Sequence, residues 1–227
     1  MIVDCVPSGN AVRREAGNAL FYVLLGVVLF AALSFIITRQ TGNDGLTEQL
    51  ADDKANIIAS QMINHATSVK YAVEQMLANG STVEQLDFIR PGEAGYDTPP
   101  HQHKVFHPSG GGVNVMAVKP EHMSSPTTHW GYQKGRNVEW TPTTQTDLMY
   151  SVIDITEPIC RSINTKLYGN IAMPAQLTSS YGAVFEYGST DVDFTAAICA
   201  DCVGKHTACL KHPSLDRYLF YTVLVGR

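Results

Sequence analysis

The chain has 227 residues, 44% of them apolar, which is enough for one domain of ordinary size and leaves no room for two large ones. Sixteen lysines and arginines against 21 acids give a formal charge of −5, so the basic footprint of a nucleic-acid binder is excluded and no nucleic-acid partner is expected. Internal repeats, low-complexity tracts, paired catalytic carboxylates, a Gly-x-Ser-x-Gly elbow and a dinucleotide fingerprint are all absent, so the expectation is a protein that is not an enzyme and carries no cofactor.

Residues 1–17 form a polar leader ending Arg13-Arg14-Glu15-Ala16-Gly17. Behind it lies an almost unbroken apolar run, Ala19 to Ile37. At roughly 1.5 Å per residue, a helix of that length spans a bilayer core, so 18–40 is expected to be a transmembrane helix. The run exits through Thr38-Arg39-Gln40-Thr41 with no small-x-small site, which disfavours an ordinary cleaved signal peptide. Arg13 and Arg14 stand close to the start of the run, while on its far side the single Arg39 is followed by Asp44, Glu48, Asp52 and Asp53. That bias places the N-terminus in the cytoplasm and the body outside.

Thr41-Gly42-Asn43-Asp44-Gly45 breaks the pattern, and 41–80 then reads as an amphipathic stem. Its apolar residues recur in steps of three and four at Leu46, Leu50, Ile57, Ile58, Met62, Ala66, Val69, Val73, Met76 and Leu77. Asn79-Gly80 supplies a left-handed stop. The stripe is wider than a strict heptad, so packing on the head's own sheet is expected rather than a coiled-coil stalk.

A brief basic leader, Gly17 at its end, an apolar helix and then a striped second helix together resemble the type IV pilin and pseudopilin family over about the first third of the chain. The resemblance implies a cut after Gly17 by a prepilin peptidase-like enzyme, with Asn18 as the first mature residue. It further implies a structural subunit of a pilus-like filament or pseudopilus, held first in the cytoplasmic membrane with its head outside. Its partners would be the membrane and copies of itself or related subunits. The assembly helix would use Leu20, Phe21, Leu24, Val28, Leu29, Leu33, Phe35 and Ile36. Two positions depart from the family pattern: Asn18 stands where the family has Phe, and Tyr22 stands where it has a glutamate. Assembly would then proceed through apolar packing without that glutamate's ion pair. The alternative is an uncleaved single-pass anchor whose head binds a ligand or partner through the loops between Gly92 and Asn137.

The remainder, 81–227, is expected to form an α+β head: an antiparallel sheet with the amphipathic helix packed on it. Ser81-Thr82-Val83-Glu84 matches a capping box, followed by a first strand near Leu86 to Ile89. Lys104 to His107 and Val113 to Val118 flank Pro108-Ser109-Gly110-Gly111-Gly112 and read as a hairpin. The triple glycine is no phosphate loop, because no Lys-Ser or Lys-Thr pair follows it. Leu148 to Ile155 reads as a strand, and Thr156-Glu157-Pro158 opens a helix with Ile159, Ile163 and Leu167 on its apolar side, ending at Gly169. Gly182 to Tyr187 reads as a strand. Tyr218 to Val225 is apolar on both alternating faces, the mark of a strand covered on both sides.

Cys5 lies in the leader, which leaves Cys160, Cys199, Cys202 and Cys209 for two disulfides in an outside domain. A Cys199 to Cys202 bridge is the least attractive staple, since it closes a very small loop. Cys160 is expected to join the C-terminal cluster, with the other two closing a local loop. A zinc site from Cys199, Cys202, Cys209 and His206, or a redox Cys-x-x-Cys, is the sharper alternative. His101, His103 and His107 invite a metal reading as well, but a solvated cluster is favoured and no metal is expected.

Overall fold

The computed structural model describes residues 16–40, 43–123, 130–169, 175–176, 178, 184–185 and 192–227. Two compact units divide between Ala51 and Asp52. In chain order the elements are α1 (Ala16–Gln40), α2 (Asn43–Ala78), a 3-10 turn (Pro120–His122), β1 (Trp130–Arg136) and β2 (Asp147–Ile155). After them come α3 (Glu157–Tyr168), β3 (Ala175–Gln176), a second 3-10 turn (Ala200–Cys202), β4 (Thr207–Lys211) and β5 (Tyr218–Val225). The class is α+β.

α1 starts at Ala16, two residues before the expected first helical position, so Gly17 and Asn18 lie in its first turn. Side chains along it are described from Leu20 to Phe35, which is only part of the apolar run. Among the described residues no helix is long and apolar enough to cross a membrane. The membrane span expected over 18–40 is therefore not met within them.

The head's sheet has the order β1-β2-β5-β4-β3, antiparallel throughout except for the two-residue β3, which runs parallel to β4. β5 lies centrally between β2 and β4, as its two apolar faces require. Tyr218, Phe220 and Leu224 point into one core, while Leu219, Tyr221 and Val223 point into another. β2 divides the same way, with Leu148, Tyr150 and Val152 on the first side and Met149 on the second.

α2 fills the first core with Ile58, Met62, Ala66, Val69, Val73 and Met76, joined by Ala55 and Ala59. These positions repeat at the helical period, so one stripe meets the sheet face. Ile57, one position round from Ile58, falls outside the stripe and is 60% exposed; Leu50 is exposed too, and the Leu46 side chain lies outside the described residues. α2 ends as its sequence demands. Gly80 has φ 96, its N–H donates to Leu77 O at 3.0 Å, and the Ser81 N–H donates to Met76 O at 3.0 Å, so two terminal carbonyls are satisfied.

The capping box forms one residue later than its motif suggested. Thr82 N–H donates to Gln85 Oε1 at 2.9 Å and Gln85 N–H to Thr82 Oγ1 at 3.4 Å, closing a turn rather than a helix. The expected strand at Leu86 to Ile89 reduces to a single parallel bridge, Asp87 with Lys104. The expected hairpin is likewise a wide turn. Gly111 N–H donates to Lys104 O and Val113 N–H to Val105 O, and no strand forms from 113 to 118. Its glycines are required by close approach, since a Cβ at Gly110 would sit 2.2 Å from Lys104 O and one at Gly111 would sit 2.5 Å from Val105 O. Val184 and Phe185 are helical rather than extended, and the rest of the expected strand at 182–187 lies outside the described residues. β1 and β4 are strands beyond those expected.

α3 opens after Thr156 with Pro158 in its first turn and closes at Gly169, φ 81. It buries Ile159, Cys160 and Ile163 in the first core. Asn164 then acts like a neighbouring strand. Its Nδ2–H donates to Cys209 O and its Oδ1 accepts the Cys209 N–H, both at 2.8 Å. The C-terminus is tied by the Arg227 N–H, which donates to buried Asp147 Oδ1 at 2.8 Å.

Candidate functional site

The residues expected to drive assembly lie together on α1, and all of those described are exposed. Leu20, Phe21, Leu24, Val28, Leu29, Leu33 and Phe35 range from 56% to 70% exposure, and Tyr22 is 64% exposed among them. The side chains of Ile36 and of Asn18 at the expected cut lie outside the described residues. α1 is apolar on every side, so no face of it is distinguished as inward.

The four head cysteines form two disulfides, Cys160–Cys209 and Cys199–Cys202, with Cα separations of 5.4 and 5.3 Å. The first ties α3 to β4 across the first core. The second closes the small local loop, the pairing that chain entropy favours least. Because Cys209 is bonded to Cys160, the four-ligand zinc grouping with His206 does not form. All four cysteines are buried, which leaves the Cys-x-x-Cys pair without the partial exposure of a redox centre.

The histidine segment also separates. His101 and His107 stack with centroids 4.0 Å apart and planes 5° from parallel, while His103 turns away to Ser81, Nδ1 to Oγ 2.9 Å. Burial, then the neighbouring charges of His107 and Lys104, hold the His101 pKa below the ordinary imidazole range. Lys104 is buried with its ammonium donating to Gly95 O at 2.6 Å, Tyr96 O at 2.8 Å and Thr98 O, so it pins the 95–98 loop with all three protons. Among the described residues no group of three His, Cys, Asp or Glu side chains is placed to hold a metal ion.

Among the described residues the head has a cavity of about 680 Å³ beside β1, a size that suits a small molecule. Asp87, Phe88, Arg90 and Glu93 form one wall, and Trp130, Gly131 and Tyr132 of β1 form another. Tyr150 and Ser151 of β2 extend it toward Phe185. The aromatic rings are layered. Tyr132 stacks on Phe88 at 4.5 Å, Phe88 lies 5.9 Å from Tyr150, and Tyr150 stacks on Trp130 at 4.8 Å. β1 makes this possible because Trp130 and Tyr132, two apart, share a face. Arg90 spans the strand edge, its Nη2–H donating to Trp130 O at 3.0 Å, with its Nε 3.7 Å from Glu93 Oε1. The Trp130 indole Nε1 is buried and has no hydrogen-bond partner among the described residues.

Behind the rings, His65 of α2 is buried against Trp130 with centroids 5.0 Å apart, and its Nε2 lies 3.1 Å from the Tyr150 hydroxyl. Burial pushes its pKa down to about 4, so it is neutral at physiological pH. Burial also pushes the Tyr150 phenol up. This pair is part of the core rather than an acid–base couple. Glu93, Phe106, Trp130, Gly131 and Tyr132 of the cavity fall within the 92–137 range expected to bind on the alternative reading, though the sequence marks none of them individually. The available signal was the Trp-Gly-Tyr alternation at 130–132, and two glycines with Gln133, Lys134 and Arg136 obscured it.

Compared with protein-family models, curated proteins and solved structures, the chain matches none.

Proposed function

We propose that the chain is a structural subunit of a pilin-like or pseudopilin-like assembly, inserted by its N-terminal helix, trimmed after Gly17 and packed helix to helix with copies of itself or related subunits. The observation that carries this reading is the exposure of α1, where every apolar side chain described from Leu20 to Phe35 is open. Such a surface is tolerable only where lipid or another subunit covers it. A disulfide-tied α+β head with the second helix laid along its sheet is consistent with the same division of labour. Intact mass and N-terminal sequencing of protein recovered from cells test the proposal. A chain beginning at Asn18 is expected; a functional form beginning at Met1 would overturn it.

The second reading, an uncleaved anchored binding protein, is favoured by one observation, the cavity beside β1. A full-length functional chain that stays monomeric in the membrane supports that reading over the first.

A further inference from the structure

We infer that His101 and His107 form an acid-operated clasp on the 95–112 loop, closed while both rings are neutral and opened when both carry a proton. The inference concerns the head alone and holds whether α1 is cut, assembles or only anchors the chain.

The two imidazoles lie face to face, centroids 4.0 Å apart and planes 5° from parallel. Neutral rings pack at that distance, whereas two imidazolium rings so placed repel. A positive charge is already fixed beside them. Lys104 is buried, its ammonium held by the carbonyls of Gly95, Tyr96 and Thr98. Among the described residues the charged and titratable groups that face the pair are Lys104, Asp97 and Tyr96, the last with its ring 5.1 Å from that of His107. His103 turns away to Ser81 Oγ, and α2 meets the loop with the uncharged Met76, against Gly111. Full protonation would therefore set three positive charges against the single carboxylate of Asp97.

The ring nitrogens oppose protonation as well. His107 Nδ1 accepts the Ser109 N–H at 3.1 Å, so the neutral ring carries its proton on Nε2. Charging His107 turns that acceptor into a donor and breaks the bond. His101 Nδ1 is buried with no hydrogen-bond partner among the described residues, so charging His101 fixes a donor where nothing accepts it.

The rings are tied into the turns around them. Lys104 N–H donates to His101 O at 3.0 Å, and the N–H groups of Gly110 and Gly112 donate to His107 O at 2.9 and 3.0 Å. Separation of the rings loosens both turns, while buried Val105 and Phe106 anchor the middle of the segment in the first core. On acidification the open loop takes up protons that the closed loop refuses. Burial, then the charges of His107 and Lys104, hold His101 below its ordinary value, which puts the opening on the acid side of about pH 6.5.

The test uses the full chain in uncharged detergent micelles and reads amide hydrogen exchange by mass spectrometry at about pH 7.5 and about pH 5, corrected for the intrinsic rate. That window stays above the titration of His65 at about 4. Protection across 101–112 is expected to fall about tenfold or more at the acid value while that of β5 holds, the factor that one pKa unit supplies. His101→Phe and His107→Phe each keep a flat ring in the stack and forbid its double charge, so either should make the loop's protection independent of pH. Near-UV circular dichroism establishes that each variant is folded, and one folded variant is enough to decide. Histidine nitrogen shifts of the parent supply a reading that needs no variant: His107 is expected as the Nε2–H tautomer at about pH 7.5. Protection that does not change with pH in the parent overturns the inference. So does an equal fall in the parent and a folded clasp variant, or a His107 ring that carries its proton on Nδ1.

Discussion

α1 and α2 are both long helices rich in apolar residues, yet their side chains meet opposite fates. In α2, Met62, Val69 and Val73 are fully buried, whereas Leu24, Val28 and Leu29 of α1 are more than half exposed. The difference is one of pattern rather than of apolar content. A stripe at the helical period can be answered by one surface, and the head's sheet supplies it. A helix apolar on all sides offers no solvent face, so its cover must come from its surroundings.

Placing the same charge in each helix is the sharpest way to break this comparison. Val69→Asp buries a carboxylate against the sheet and should cost about 4 kcal/mol or more, seen as loss of cooperative head unfolding by circular dichroism. Val28→Asp should leave the head's melting unchanged while abolishing membrane retention or assembly. Equal destabilisation of the head by both would erase the distinction.

The two disulfides extend the contrast to the loops they close. Their sequence separations are 49 and 3. Chain entropy then assigns about 4 kcal/mol to Cys160–Cys209 and about 2 kcal/mol to Cys199–Cys202, measured by denaturant unfolding of the paired Cys→Ala variants. A reversed order would place the weight on the C-terminal loop rather than on the tie between α3 and β4.

His65 measures how dry the α2 face is. Its folded pKa of about 4 lies below the ordinary 6.5, so on acidification the unfolded chain takes up a proton that the folded head refuses. Stability should be whole above about pH 6.5 and decline toward pH 4 by up to about 3 kcal/mol. Burial lowers His122 and His212 too, so the difference between the pH profiles of the parent and His65→Phe isolates this residue. Identical profiles would mean that His65 is hydrated. The smallest effect belongs to Ile57→Gln, expected within about 0.5 kcal/mol because that side chain faces solvent. A larger loss would restore Ile57 to the stripe.

Much of the head was legible wherever a local rule was strong. β5 announced its central place through two apolar faces, α3 through Pro158 and Gly169 at its ends, and the stop of α2 through Asn79-Gly80. The errors fell where neighbours decide. Lys104 to His107 and Val113 to Val118 have strand composition, but Lys104 is drawn to the carbonyls of 95–98 and the segment bends around them. β1 contains two glycines and three long polar side chains, and becomes a strand only because β2 pairs with it from Trp130 to Arg136. The cavity was invisible for a related reason. Arg90, Trp130, Ser151 and Phe185 meet only once the sheet has formed, and no window of sequence contains them together.

The capture of Lys104 by three carbonyls also makes that lysine a reporter. Its amine is held by three carbonyls and almost unexposed, so an acylating reagent should modify the surface lysines first and reach Lys104 only when the 95–98 loop lets go. The rate at which that single amine is labelled would time the opening of the loop without any probe being added to the protein.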